Sequence, residues 1–130
     1  GVRWVGDLGE EDLDPHLLMW DVKRTLPLDR WPRGRTVVAF TYTDVEPSAR
    51  RWWVVVTGSD VDVCDVDPGY DVAASLTTTL RTMTEIWRGD RAWTDAVRSS
   101  LLAIDAPRDV ARAVPDWVGV STLGAVPRPA

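Results

Sequence analysis

The chain carries one cysteine and one histidine, and each scarcity excludes something. A single cysteine, Cys64, closes no internal disulfide, so a packed core has to hold the fold, and a reducing cytoplasm suits it. A single histidine leaves acyl-transfer chemistry without its usual supply of bases. His16 falls on the first turn of the first expected helix, a place for an exposed or capping side chain. Zinc-type Cys/His clusters, glycine-rich phosphate loops and dinucleotide fingerprints are all missing. The run Gly119-Val120-Ser121-Thr122-Leu123-Gly124 is one residue too long for a G-x-S-x-G nucleophile elbow. No apolar run approaches the roughly 18 to 20 residues that a bilayer span requires. Lysine is nearly absent as well, one against fourteen arginines. Such a bias reflects a GC-rich genome, so the clusters Arg30-Arg33-Arg35 and Arg50-Arg51 read as side chains that snorkel or pair with aspartate.

The 130 residues suffice for one compact domain with a real core. The expected domain covers residues 1–130, with its core at 14–126 and flanking segments at 1–13 and 125–130. The N-terminal Gly1-Val2-Arg3-Trp4 lacks an initiator methionine and a secretory pattern, which reads as the boundary of a fragment. A net charge of −5 opposes approach to nucleic acid or anionic lipid.

Five acids between Asp7 and Asp14 lead into Asp14-Pro15, an N-cap followed by proline at the first helical position. Leu18, Met19, Val22 and Leu26 then form one helical stripe that Pro27 stops. Strands are predicted at Thr36–Thr43, Arg50–Thr57 and Val61–Val66, the last two joined by a tight hairpin at Gly58-Ser59-Asp60. In the first strand Val38, Phe40 and Tyr42 share a face. A crossover strand through Val72, Ala74 and Leu76 follows the Pro68-Gly69 turn. A helix capped by Thr77, Thr78 or Thr79 then places Leu80, Met83 and Trp87 together and ends at Gly89. Asp90 is expected to cap a further helix with Trp93, Ala96 and Val97 inward. A short strand at Leu101–Ile104 and a helix at Pro107–Val114, halted by Pro115, complete the order, and the tail from Ala125 is expected to be loose. The fold class is α+β: a five-stranded, mostly antiparallel sheet with one crossover, covered on one face by helices.

Two features invite chemistry and neither sustains it. The acids Asp60, Asp62, Asp65, Asp67 and Asp71 lack the glycine and closing glutamate of an EF-hand, and read as a solvated strand face with turn caps. Cys64 stands among Asp62, Asp65 and Asp67, which hold a thiol in its unreactive form, and reads as a buried strand residue. No catalytic residue, metal site or cofactor is assigned, and the chain reads as no enzyme.

Eight tryptophans are harder to set aside. Trp20, Trp53, Trp87 and Trp117 could all be plain core anchors. Alternatively, Trp53, Trp87 and Trp93 line an apolar pocket between sheet and helix with Phe40, Tyr42, Leu80 and Met83. With Val55, Leu76 and Val97 these make up the candidate ligand-binding set.

The segments Val37-Val38-Ala39-Phe40, Trp52-Trp53-Val54-Val55-Val56, Val61-Asp62-Val63-Cys64, Asp67-Pro68-Gly69-Tyr70-Asp71-Val72, Thr79-Leu80 and Trp87-Arg88-Gly89-Asp90, with Ala96 and Trp117, carry a resemblance over residues 14–126. Taken in order they resemble a sterol-carrier-protein-like domain, in particular the version that follows winged-helix DNA-binding domains in bacterial regulators of the HxlR type. The resemblance implies a five-stranded sheet under helices with an apolar tunnel between them. It also implies a lipid or acyl-like ligand, a ligand-sensing role in transcription regulation, DNA contact only through a winged-helix domain outside this chain, and a homodimer. Alternatives are a structural dimerisation or partner-binding module with a filled interior, and a stand-alone lipid carrier. The family's glycines before and after the last strand are replaced here by Ser99-Ser100 and Ala106.

Overall fold

The computed structural model describes residues 13–119. The acidic lead-in from Asp7 to Asp12, the serine segment after Gly119 and the tail from Ala125 lie outside them. Helix α1 (Pro15–Thr25) starts as its sequence dictates: the Asp14 carboxylate accepts from the backbone N–H groups of His16 and Leu17 at 2.8 and 3.4 Å, and Pro15 occupies the first turn. Strands β1 (Arg35–Tyr42), β2 (Arg51–Thr57), β3 (Asp60–Cys64), β4 (Ala74–Thr78) and β5 (Leu102–Asp105) form one sheet in the order β3-β2-β1-β4-β5. β1 and β4 run parallel, and the other neighbours are antiparallel. The parallel pair is the crossover expected from the sequence. The two-residue connection Gly58-Ser59 joins β2 to β3, with Gly58 at φ +62°, a sign that glycine adopts without strain.

Helices α2 (Leu80–Arg88), α3 (Trp93–Arg98) and α4 (Arg108–Val118) complete the layer. Thr79 caps α2 by accepting from the Thr82 N–H at 3.0 Å, and Asp44 accepts from the Leu80 N–H at 2.7 Å. Gly89, at φ +85°, ends α2, and the N–H groups of Asp90 and Arg91 turn back to the Glu85 carbonyl. That wrap uses the residues expected to open the next helix. The cap position of α3 is therefore Ala92, not Asp90.

Four further boundaries depart from expectation, the first being β3, which ends at Cys64 and leaves Val66 exposed. β4 begins at Ala74 and leaves Val72 exposed. β5 begins at Leu102, because Ser100 adopts φ +62° and turns the chain just before it. α4 passes through Pro115 and ends at Val118. A proline inside a helix removes one backbone hydrogen bond and costs about 3 kcal/mol. Here the extra turn buries Trp117 and Val118 in the main core, which offsets that cost.

The sheet is buried on both faces. Val38, Phe40 and Tyr42 of β1, Trp52, Val54 and Val56 of β2 and Leu76 of β4 face the helices and pack with Met19, Val22, Leu80, Met83 and Ile86. The opposite face holds Val37, Ala39, Trp53 and Val55, with Cys64 against them. Register explains the division: Trp52 lies opposite Phe40 and Trp53 opposite Ala39, and directly opposed residues share a face. Trp53 and Val55 therefore stand apart from Phe40 and Tyr42, contrary to the grouping expected from the sequence. Arg35, on the same face as Val37, stacks its guanidinium on Tyr70 at 4.0 Å, which lays the β3–β4 connection over that side.

Candidate functional site

Phe40, Tyr42, Leu76, Leu80 and Met83 do meet between sheet and helices, and they fill the space. None is more than 1% exposed, and of the five only Leu80 also borders a described hollow, the one of about 230 Å³ beside Asp44 and Arg81. The Tyr42 hydroxyl donates to Met19 Sδ at 3.0 Å, and burial together with Asp44 pushes the phenol well above its ordinary pKa of 10.0. Trp87 is half-buried and donates through Nε1 to Thr25 Oγ1 at 3.0 Å, which ties α2 to α1. Trp20, one of the expected core anchors, is 58% exposed on α1.

The other two expected residues, Trp93 and Val97, lie elsewhere. With Arg98 they supply one wall of a groove of about 720 Å³ between α3, β5 and α4. Val97 is 44% exposed into it, not inward as expected. Leu102, Ala103 and Ile104 form the floor, and Arg108, Ala111, Arg112 and Pro115 the opposite wall. Those four positions on α4 are spaced i, i+3, i+4 and i+7, a single helix face. The sequence reading missed this face because it assigned arginine clusters to coding bias and ended the helix before Pro115.

The groove is apolar along its length, and Arg98, Arg108 and Arg112 stand on it exposed. None of the three makes an ion pair with a described residue. Arg91 is different: it donates to Glu85 at 2.8 Å and to Asp95 at 3.0 Å, contacts that hold its guanidinium pKa up and pin α3 to the end of α2. The Trp93 indole N–H is buried and lacks an acceptor among the described residues. Two further hollows among the described residues are smaller, about 230 Å³ beside Asp44 and Arg81 and about 390 Å³ beside Arg35, Tyr70 and Asp71.

His16 is exposed and meets Trp52 edge-on at 4.9 Å. Cys64 is half-buried, not fully buried as expected of a strand cysteine; partial burial first, then Asp62 and Asp65, raise its thiol pKa. Of the acids, Asp67 accepts from the Gly69 N–H at 2.8 Å as a turn cap. Among the described residues no group of three His, Cys, Asp or Glu side chains could hold a metal ion, and no helix is long and apolar enough to cross a membrane.

No protein-family model and no curated protein matches the sequence. Solved structures match the fold. The sec-alkylsulfatase Pisa1 from a Pseudomonas species is similar at TM-score 0.67 and 11% identity, over 85% of this chain and 17% of that one. This chain therefore spans only about a sixth of the sulfatase's length. The sterol carrier protein domain 2 of Helicoverpa armigera is similar at TM-score 0.60 and 14% identity, over 94% of this chain and 96% of that one. A ubiquinone synthesis protein, UbiJ-SCP2, is similar at TM-score 0.56 and 16% identity, over 80% and 84%. In its sheet order, its helix layer and these likenesses, the chain has the fold of sterol-carrier-protein-2-like domains.

Proposed function

We propose that this chain is a non-catalytic binding module whose ligand is a single-chain amphiphile with an anionic head, seated in the groove between α3, β5 and α4. One observation carries the reading: an apolar groove of about 720 Å³ carries three arginines with no ion-pair partner among the described residues. Apolar walls take an alkyl chain through area buried, and guanidinium groups take a carboxylate or sulfate through charge-assisted hydrogen bonds. The printed names of the similar structures, a sterol carrier and an alkylsulfatase, concern molecules of related character. In the wider protein the module acts as the ligand-sensing part of a cytoplasmic bacterial transcriptional regulator. DNA is contacted by a winged-helix domain outside this chain, in keeping with the acidic balance of the module, and the regulator works as a homodimer.

A second reading has one observation in its favour. The interior around Phe40, Leu76 and Met83 is filled, as a module that only holds a protein partner would have it.

Titration calorimetry with dodecanoate, dodecyl sulfate and the neutral alcohol dodecanol separates the two. The amphiphile reading expects both anions to bind about tenfold or more tightly than the alcohol, the worth of one charged hydrogen bond. No binding by any of the three supports the partner-holding module.

A further inference from the structure

The groove has a neighbour. Trp93 and Pro115 line it and also line a second hollow, of about 390 Å³, that continues toward Thr25, Pro27 and Gly119. The two spaces meet at these two residues. Pro115 is part of the α4 backbone and cannot withdraw. Trp93 is a side chain on two rotatable bonds, and nothing polar fixes it. The indole N–H groups of Trp31, Trp52 and Trp87 each have an acceptor at 2.8 to 3.0 Å, whereas that of Trp93 is buried without one among the described residues. A buried donor without an acceptor is unfavourable, and a turn of the ring relieves it by bringing the N–H to water or to an oxygen in the groove. The backbone beneath is held, because Arg91 bridges Glu85 on α2 and Asp95 on α3. The ring can move while the helix stays.

We propose that Trp93 is the specificity-determining partition of the site: in place it ends the groove and limits the alkyl chain that fits, and turned aside it joins the two hollows into one trough for longer chains. This rests on the reading that the groove takes a single-chain anionic amphiphile. The far hollow offers the chain end the ring of Pro27 and the backbone at Gly119, with Thr25, Arg30 and Asp116 also lining it.

The test is a homologous series of straight-chain carboxylates from eight to eighteen carbons, each below its micelle concentration, titrated into the wild-type chain, Trp93→Ala and Trp93→Phe. Wild-type affinity should rise about fourfold per added methylene and then level off where the chain reaches the indole. Trp93→Ala should carry the rise several carbons further, while every member that touches the indole wall loses that contact and binds more weakly. Trp93→Phe, with a smaller ring and a milder risk to folding, should shift the break by less. A break at the same length in all three proteins overturns the partition while leaving the amphiphile reading standing. Absence of binding at every length in the wild type overturns both.

Discussion

Trp31 and Trp117 are stacked at 5.2 Å between ring centroids, and the Trp31 indole N–H donates to the Trp117 backbone carbonyl at 2.8 Å. One contact thus docks the last turn of α4 on the segment between α1 and β1 and satisfies a carbonyl that the helix end leaves free. Trp31→Phe keeps a stacking ring and removes only the donor. The carbonyl is then buried without a partner, and stability should fall by about 1–3 kcal/mol in chemical denaturation. An unchanged midpoint would mean that the carbonyl finds water.

Ser100 holds φ +62°, a conformation that costs a side-chain-bearing residue about 1–2 kcal/mol relative to glycine. Ser100→Gly should therefore stabilise the fold, by about 0.5–1 kcal/mol once the greater freedom of glycine in the unfolded chain is subtracted. Thermal denaturation reads the difference, and a loss of stability would contradict it.

The Tyr42 phenol is held in its neutral form by burial and by Asp44. Its folded pKa lies above the unfolded one, so its contribution to stability is complete below pH 10 and declines as pH rises beyond that value. The wild type should lose stability steeply in the alkaline range, and Tyr42→Phe, which sacrifices only the weak contact with Met19 Sδ, should lose it less steeply. Denaturation midpoints between pH 8 and 11 test this, and parallel curves for the two proteins would contradict it.

Arg108 and Arg112 lie on one face of α4, one turn apart, and both line the groove. Replacing either by alanine should weaken dodecanoate binding about tenfold or more, the worth of a charged hydrogen bond. Dodecanol binding should change little. Added salt should weaken the wild type more than the double variant. Equal losses for acid and alcohol would show that the arginine stems, and not their charges, hold the ligand.

Most of the sheet was legible because its signals are local: alternation along β1, the two-residue turn at Gly58, and caps at Asp14 and Thr79. What was lost was lost for physical reasons. Trp52 to Val56 is apolar at every position, so it carries no parity, and only pairing with β1 places Trp52 under the helices and Trp53 on the far side. Pro115 signals a helix stop locally, yet burial of Trp117 and Val118, set by distant packing against Trp31, carries α4 through it. The groove depends on the same extension, since Pro115 closes the wall begun by Arg108. Two of its residues, Trp93 and Val97, stood out in the sequence by type, but their neighbours Leu102 and Arg108 come from elements whose meeting no spacing rule encodes.

The most direct measurement is a dodecanoate titration followed residue by residue in backbone amide NMR spectra. A ligand in the α3–β5–α4 groove predicts saturable shifts concentrated at Trp93 to Arg98, Leu102 to Ile104 and Arg108 to Val114, with Phe40, Leu76 and Met83 nearly still. Shifts centred on Phe40, Leu76 and Met83 would place the ligand in the interior instead, and the absence of any saturable shift would contradict ligand binding by this chain.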